Sequence, residues 1–327
     1  MDNQPDHFLK IYFLDRHTLD YGDLDFSAWQ GLLRNWHSWD AATLPLPELL
    51  ADAEVLITNK MPINRSLISQ AKKLKLICVA ATGTNNIDLN AAREFNIPVC
   101  NVPGYSTHAV AEHVFALILA LGKSLCHYQQ QVRQGVWQQQ HQFSFFDQPI
   151  MELHAKVMGI IGLGDIGARV AQIAQVFGMR VLVAQSVAAT TKPHGDRLAL
   201  EQLLPQVDIL SIHCPLTPET RHLIGAQEIA LMKPTALLIN TARGGIVAED
   251  ALAQALIQGR LGGAGIDVLS EEPPRQGNVL LDLNIPNLLI TPHIAWAPRE
   301  ARQRLLGEIL VNIQDFITGK LRHGVIA

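Results

Sequence analysis

The chain has 327 residues, enough for two domains at roughly 100–200 residues each. Its 48% hydrophobic and 17% charged content marks a globular protein with a large core. The formal charge of −4, with no Lys/Arg run longer than Lys72-Lys73, speaks against a nucleic-acid partner. The polar, acidic start Met1–His7 is unlike a signal peptide, and the longest apolar run, Val114 to Leu121, is too short to span a bilayer. Cys78, Cys100, Cys126 and Cys214 are scattered, with neither metal-ligand nor Cys-x-x-Cys spacing. These features predict a cytoplasmic protein without a membrane partner or a bound metal, whose cysteines are small core residues in a reducing compartment.

In chain order, strands are predicted at Ile11–Leu14, Val55–Thr58, Leu76–Ala80 and Val99–Asn101. Leu67, Ile68, Ala71 and Leu74, and then Ala91, Ala92 and Phe95, recur between them at helical spacing. Strands alternating with helices imply a parallel sheet with right-handed crossovers. A long helix is predicted from about Thr107 to Gln131, with Val110, Val114, Ile118 and Leu121 as an apolar stripe, bridging into a second domain.

That second domain opens with Lys156-Val157-Met158-Gly159-Ile160-Ile161-Gly162-Leu163-Gly164-Asp165-Ile166-Gly167, a β-branched run feeding a Gly-x-Gly-x-x-Gly turn and then a helix bearing Val170, Ile173, Ala174 and Phe177. Gly162 permits the tight turn, Gly164 lets backbone approach a pyrophosphate, and Gly167 lets the helix pack close to the strand. The helix N-terminus offers free N–H groups to the phosphates. A strand at Arg180–Ala184 follows, then strands near 208–213, 236–240, 264–268 and 287–291 and helices near 226–232 and 247–258. This is a doubly wound dinucleotide-binding fold, predicted over 104–298. The amphipathic segment Glu300–Lys320 is predicted to be a helix returning to the first domain, which then comprises 1–103 and 299–327.

Three strand ends carry ionisable residues: Arg243 before Gly244-Gly245, Asp267 with Glu271-Glu272 beyond it, and His293 after Pro292. Ligands of open α/β sheets sit at the carboxyl ends of strands. A guanidinium, a carboxylate and an imidazole delivered there suit a reaction on an anionic carbonyl compound.

The order Gly-x-Gly-x-x-Gly, Asn-Thr-Ala-Arg-Gly-Gly, Asp-Val-x-x-x-Glu-Pro, Pro-His resembles the D-isomer-specific 2-hydroxyacid dehydrogenases along nearly the whole chain. Residues 81–88, 101–107 and 293–296 look most like the glycerate dehydrogenase (hydroxypyruvate reductase) branch. The resemblance implies a flavodoxin-like substrate domain, a Rossmann cofactor domain, NAD or NADP as cofactor, a small 2-keto or 2-hydroxy acid substrate, and a homodimer. It makes His293 the general acid, Glu272 the partner that fixes the imidazole tautomer and favours its charged form, and Arg243 the grip on the substrate carboxylate. Backbone N–H groups at Thr82 and Gly83 are implied to hold that carboxylate. Asp267 contacts the nicotinamide carboxamide, Cys214 lines the cofactor cleft, and Asp165, Ile166, Thr241 and Ala242 join the three glycines in binding the dinucleotide. His213, preceding Cys214-Pro215, reads as structural.

One position departs from the pattern. About 20 residues past the glycines an acidic side chain holds the adenosine ribose; here stand Gln185 and Ser186, with Lys192 and Arg197 the nearest cations. Glutamine hydrogen-bonds a hydroxyl without repelling a 2′-phosphate, so either cofactor is expected to be accepted. A phosphoglycerate dehydrogenase is a second enzymatic reading, but residues 81–88 and 101–107 hold no basic side chain for a phosphate. A nucleotide-sensing co-repressor scaffold is the non-enzymatic reading, and the presence of Arg243, Glu272 and His293 together favours catalysis.

Overall fold

The computed structural model describes residues 9–33, 35–38, 50–187, 197–282, 285 and 287–326. It divides into two compact units, Met1–Ser106 with Trp296–Ala327, and Thr107–Ala295.

The first unit is built on a six-stranded sheet. Its strands are β1 (Ile11–Phe13), β2 (Trp36–Ser38), β3 (Val55–Thr58), β4 (Leu76–Val79), β5 (Val99–Cys100) and β12 (Gly324–Ile326), in the order β2-β1-β3-β4-β5-β12. The 2-1-3-4-5 succession is that of a flavodoxin-like sheet. All pairs are parallel except β12, which runs antiparallel to β5 and makes the sheet mixed. Every residue of β3 and β4 is buried, as strands covered on both faces require. The crossover helices Arg65–Gln70 and Leu89–Glu94 start at side-chain caps: Asn64 accepts from the Leu67 N–H at 3.0 Å and Asp88 from the Ala91 N–H at 2.9 Å. At the end of β1 the buried Asp15 carboxylate accepts from the N–H groups of Asn59, Lys60 and Met61 at 2.8, 2.6 and 2.7 Å, which pins the loop after β3.

The helix Arg299–Ile317 belongs to this unit. Asn312 donates to the Asn101 carbonyl at 2.9 Å, and the Trp29 indole donates to the Leu306 carbonyl. Buried Arg302 makes a two-pronged contact with Asp23 at 2.8 and 2.7 Å and also donates to the Leu19 carbonyl.

The second unit holds β6 (Val157–Ile161), β7 (Arg180–Val183), β8 (Ile209–Ile212), β9 (Leu237–Asn240), β10 (Gly263–Ile266) and β11 (Leu288–Ile290), all parallel, in the order β7-β6-β8-β9-β10-β11. Among the described residues one parallel bridge, between Ala184 and Leu198, lies beyond β7. The chain leaves β6 toward β7 on one side and returns to β8 on the other, so the strand order reverses at β6.

Two expectations need correction. The long helix is two helices, Thr107–Gly122 and Leu125–Arg133, bent by 57°. The break has a local cause: the Gly122 carbonyl accepts from the Met151 N–H at 2.6 Å instead of continuing the helical ladder, and Ser124 takes a left-handed φ of 48°. The apolar stripe is spent inside this unit, with Val110, Val114 and Ile118 buried and Leu117 lying against Gly265 of β10. Cys78 and Cys100 are core residues, but Cys126 is exposed. Among the described residues no single helix is long and apolar enough to cross a membrane.

Hydrogen bonds from Arg302 hold the Asp23 carboxyl down to about 2 from an ordinary 3.8. A depressed carboxyl contributes stability that is complete above its unfolded value and is lost as pH falls through its folded one. Asp23→Asn should therefore lower Tm by a constant amount above about pH 5. The gap to wild type should close between about pH 4 and pH 2, and a gap that stays open at pH 2 would show that the pair contributes through packing alone.

Candidate active site

Because β6 to β11 are parallel, their carboxyl ends share one edge of the sheet, and the sequence-predicted residues of this unit stand along it. Gly162 follows β6 with φ 91°, and a Cβ there would come within 2.6 Å of the His213 and Cys214 backbone at the end of β8. A Cβ on Gly167 would meet the Gly162 carbonyl oxygen at 2.0 Å, so helix and turn pack with no room for a side chain. Gly164 faces open space. It caps the helix Asp165–Val176, whose first N–H groups, at Asp165, Ile166 and Gly167, have no helical acceptor. Open space beside free donors and the positive end of a helix fits a pyrophosphate. Thr241, at the end of β9, adds a buried hydroxyl with no partner among the described residues, the group a bound ligand would satisfy. The residues present fit a dinucleotide.

At the same edge the partly buried Cys214 thiol is pushed up by burial and stays protonated, so it lines this edge as a neutral group. His213 turns inward: its Nε2 lies 2.8 Å from Ser211 Oγ, and burial lowers it to about 4, leaving the ring neutral. Beyond β7, exposed Gln185 extends its amide toward the Arg197 carbonyl at 3.4 Å, while its backbone N–H holds the Leu198 carbonyl. Lys192 lies outside the described residues.

The turn after β9 is built by Asn240, which the sequence reading passed over. Its side chain accepts from the Ala242 N–H at 3.0 Å and donates to the Arg243 carbonyl at 2.9 Å. Arg243 curls onto the Ala242 carbonyl at 2.7 Å and has no carboxylate partner among the described residues, so its charge is not neutralised within the protein. Gly244 lets this turn press onto the next loop, since a Cβ there would overlap the Leu269 carbonyl at 1.9 Å. That loop carries Glu272. One Glu272 oxygen accepts from the Leu269 N–H at 2.9 Å and the other lies 2.7 Å from His293 Nδ1.

His293 has a left-handed backbone, φ 54°. Asp267, at the end of β10 and 1% exposed, holds the loop around it. The Asp267 carbonyl accepts from the His293 N–H at 2.8 Å, and its carboxylate accepts from the Ile294 and Ala295 N–H groups at 3.0 and 2.9 Å and from the Thr291 hydroxyl at 2.5 Å. His113 of the helix Thr107–Gly122 completes the cluster, with Nε2 3.0 Å from Thr291 Oγ1. Neither Thr291 nor His113 was singled out from sequence. Thr291 stood in plain view before Pro292-His293; His113 gave no signal, because 178 residues separate the two.

Thr82 and Gly83 belong to the other unit, at the end of β4. The Thr82 hydroxyl and carbonyl brace the loop, donating to the Val102 carbonyl and accepting from Asn101, while the N–H groups of Thr82 and Gly83 make no hydrogen bond among the described residues.

Comparison with known proteins bears on this arrangement. Residues 115–295 match the family model described as the NAD binding domain of D-isomer specific 2-hydroxyacid dehydrogenases. The glycerate dehydrogenase of Methylorubrum extorquens is 41% identical over 97% of this chain and 99% of its own length. The hydroxypyruvate reductase of Blautia hydrogenotrophica is 38% identical over 95% and 98% of the two chains. Among solved structures, the D-lactate dehydrogenase of Aquifex aeolicus, complexed with NAD and lactic acid, superposes with a TM-score of 0.82 at 31% identity, covering 97% of this chain and 99% of that one.

Proposed function

The chain belongs to the D-isomer specific 2-hydroxyacid dehydrogenases, oxidoreductases that act on a CH–OH group with a nicotinamide cofactor, and from that premise we propose that its substrate pair is glycerate and hydroxypyruvate or glycolate and glyoxylate. The observation that carries the catalytic reading is the 2.7 Å contact between Glu272 and His293 Nδ1. With Nδ1 paired to a carboxylate, the proton free to move is the one at Nε2, and the carboxylate fixes the tautomer and orientation of the ring. His293 gives that proton to the substrate oxygen in reduction and takes it back in oxidation. Arg243, with no acidic partner among the described residues, grips the substrate carboxylate with its planar fork and polarises the carbonyl. Within the first unit, the N–H groups of Thr82 and Gly83, unpaired among the described residues, are donors suited to a carboxylate. The nicotinamide, when bound, supplies or accepts the hydride.

For the cofactor we propose that NADPH is used at least as readily as NADH. Selectivity for NADH by an acidic side chain works by attraction to the ribose hydroxyls and repulsion of the 2′-phosphate together. Gln185 offers only the first, and its side chain, exposed beside Arg197, leaves a 2′-phosphate unopposed.

We further propose a homodimer, formed through the segment after the helix break. Leu125, Trp137, Phe143, Phe146 and Ile150 are 51–92% exposed, while the polar groups of this segment are tied within it, Trp137 to the Phe143 carbonyl and Tyr128 to the Gln148 carbonyl. An ordered segment that turns large apolar side chains outward suits a second copy of itself.

Oxidation of NADH and NADPH should be followed with a panel of 2-keto acids, before and after His293→Ala. Wild type should turn over hydroxypyruvate or glyoxylate best, and the variant should lose at least ~10²-fold in kcat while binding dinucleotide normally. A variant keeping more than about a tenth of wild-type turnover would sink the role of His293. Gln185→Asp should shift the ratio of kcat/KM values toward NADH by about tenfold or more; wild-type rejection of NADPH by orders of magnitude would place the discriminating group elsewhere. In sedimentation velocity the 36.0 kDa chain should run as a dimer, and Phe143→Glu with Phe146→Glu should convert it to monomer; a wild-type monomer at all concentrations refutes the assembly.

A further inference from the structure

The cluster behind His293 contains two side chains with no role in the chemistry described so far. Thr291 Oγ1 has two close partners, Asp267 Oδ1 at 2.5 Å and His113 Nε2 at 3.0 Å. A hydroxyl has one proton to give, and an ionised carboxylate can only accept. The Thr291 proton therefore goes to Asp267, and His113 Nε2 must donate to Thr291. The order of donation is fixed: His113 N–H to Thr291 O–H to Asp267 carboxylate. His113 Nε2 also stands 3.6 Å from that same carboxylate oxygen.

Asp267 grips the His293 segment at successive peptides, through its carbonyl at the His293 N–H and its carboxylate at the next two N–H groups. Its carboxylate is completely enclosed, and an enclosed charge keeps its orientation only while hydrogen bonds compensate for lost water. Removing the Thr291 hydroxyl leaves the Ile294 and Ala295 N–H groups as the remaining hydrogen-bond donors to the Asp267 carboxylate among the described residues, and removing His113 takes away the donor that orients that hydroxyl, so the left-handed segment at His293 is less constrained. The histidine side chain stands on the helix Thr107–Gly122, whose buried face packs on the same sheet, so the relay is anchored to the core and not to another loop.

We propose that His113 and Thr291 are positioning residues for His293, acting through the Asp267 carboxylate to hold the proton-carrying imidazole in register with Glu272. The proposal rests on the reading of His293 as the proton carrier. Neither residue touches reacting atoms, so neither is catalytic.

The test uses four variants of the full chain. Thr291→Val keeps shape and loses the hydroxyl; Thr291→Ser restores it. His113→Leu loses the donor; His113→Gln keeps an N–H of similar reach. The Val and Leu variants should lose about tenfold or more in kcat, the scale of one buried hydrogen bond left unmade, with a smaller change in KM for the keto acid. Their pH profiles for reduction should move, and the His293 imidazole resonance of the cofactor-free protein should shift or broaden. The Ser and Gln variants should return to within about threefold of wild type on every readout.

Val and Leu variants with lowered Tm but wild-type kcat, pH profile and His293 resonance would reduce the cluster to packing and overturn the proposal. So would a Gln variant as impaired as Leu. If His113→Leu fails to fold, Thr291→Val decides. Should His293→Ala keep its turnover, the underlying reading has failed; should it be inactive while Thr291→Val and His113→Leu match wild type, only the positioning proposal has failed.

Discussion

A single enclosed carboxylate organises the catalytic edge of the second unit. Asp267 sits in the floor of the sheet where water is excluded, and a charge in that position must find donors within the protein. It takes them from the end of β11 and the loop beyond: its own carbonyl and both carboxylate oxygens are engaged by residues 291 to 295. The histidine enters this loop in a backbone conformation that side chains other than glycine rarely adopt, and the hydrogen bonds to Asp267 maintain it. The geometry of the His293 segment is thus a consequence of burying an acid beside it.

The other ionisable groups are coupled to it by contact. Glu272 spends one oxygen on the Leu269 N–H of its own loop and keeps the other for the imidazole. Leu269 in turn receives the Arg243 turn, which comes within a distance only a glycine at 244 tolerates. Guanidinium, carboxylate and imidazole therefore follow from three adjacent strand ends, β9, β10 and β11, whose parallel registers bring successive loops side by side. On the far side of the strand reversal the turn at Gly162 leans on the backbone of the loop after β8, and this leaves the start of the following helix open toward a phosphate.

Much of this was legible in the sequence because the informative signals are local. A glycine turn, its strand and its helix lie within about 25 residues, and the strand-end residues announce themselves by turn chemistry beside them. What was not legible depends on distant partners. β2 is the short Trp36-His37-Ser38, with no β-branched run to mark it, and exists because β1 offers it an edge. β12 runs opposite to its neighbour β5, an arrangement no local pattern announces. The break after Gly122 comes from Met151, whose N–H takes the carbonyl the next helical turn needs. Periodicity showed that the helix after residue 106 has an apolar face, but not that its own sheet covers it. Leu125, Phe143 and Phe146, exposed on a stretch with little periodicity, carried no such signal.

Beyond β7 the described residues add a single bridge, Ala184 with Leu198, at the edge of the sheet. Because that bridge stands at the edge of the sheet opposite β11, a change at Gln185 leaves the register of the strands that carry Arg243, Asp267 and His293 undisturbed. Change at this edge and change in the loops after β9, β10 and β11 are therefore evolutionarily separable in this unit. Sequence drift at the edge can proceed while the opposite half of the sheet stays mechanically unaware of it.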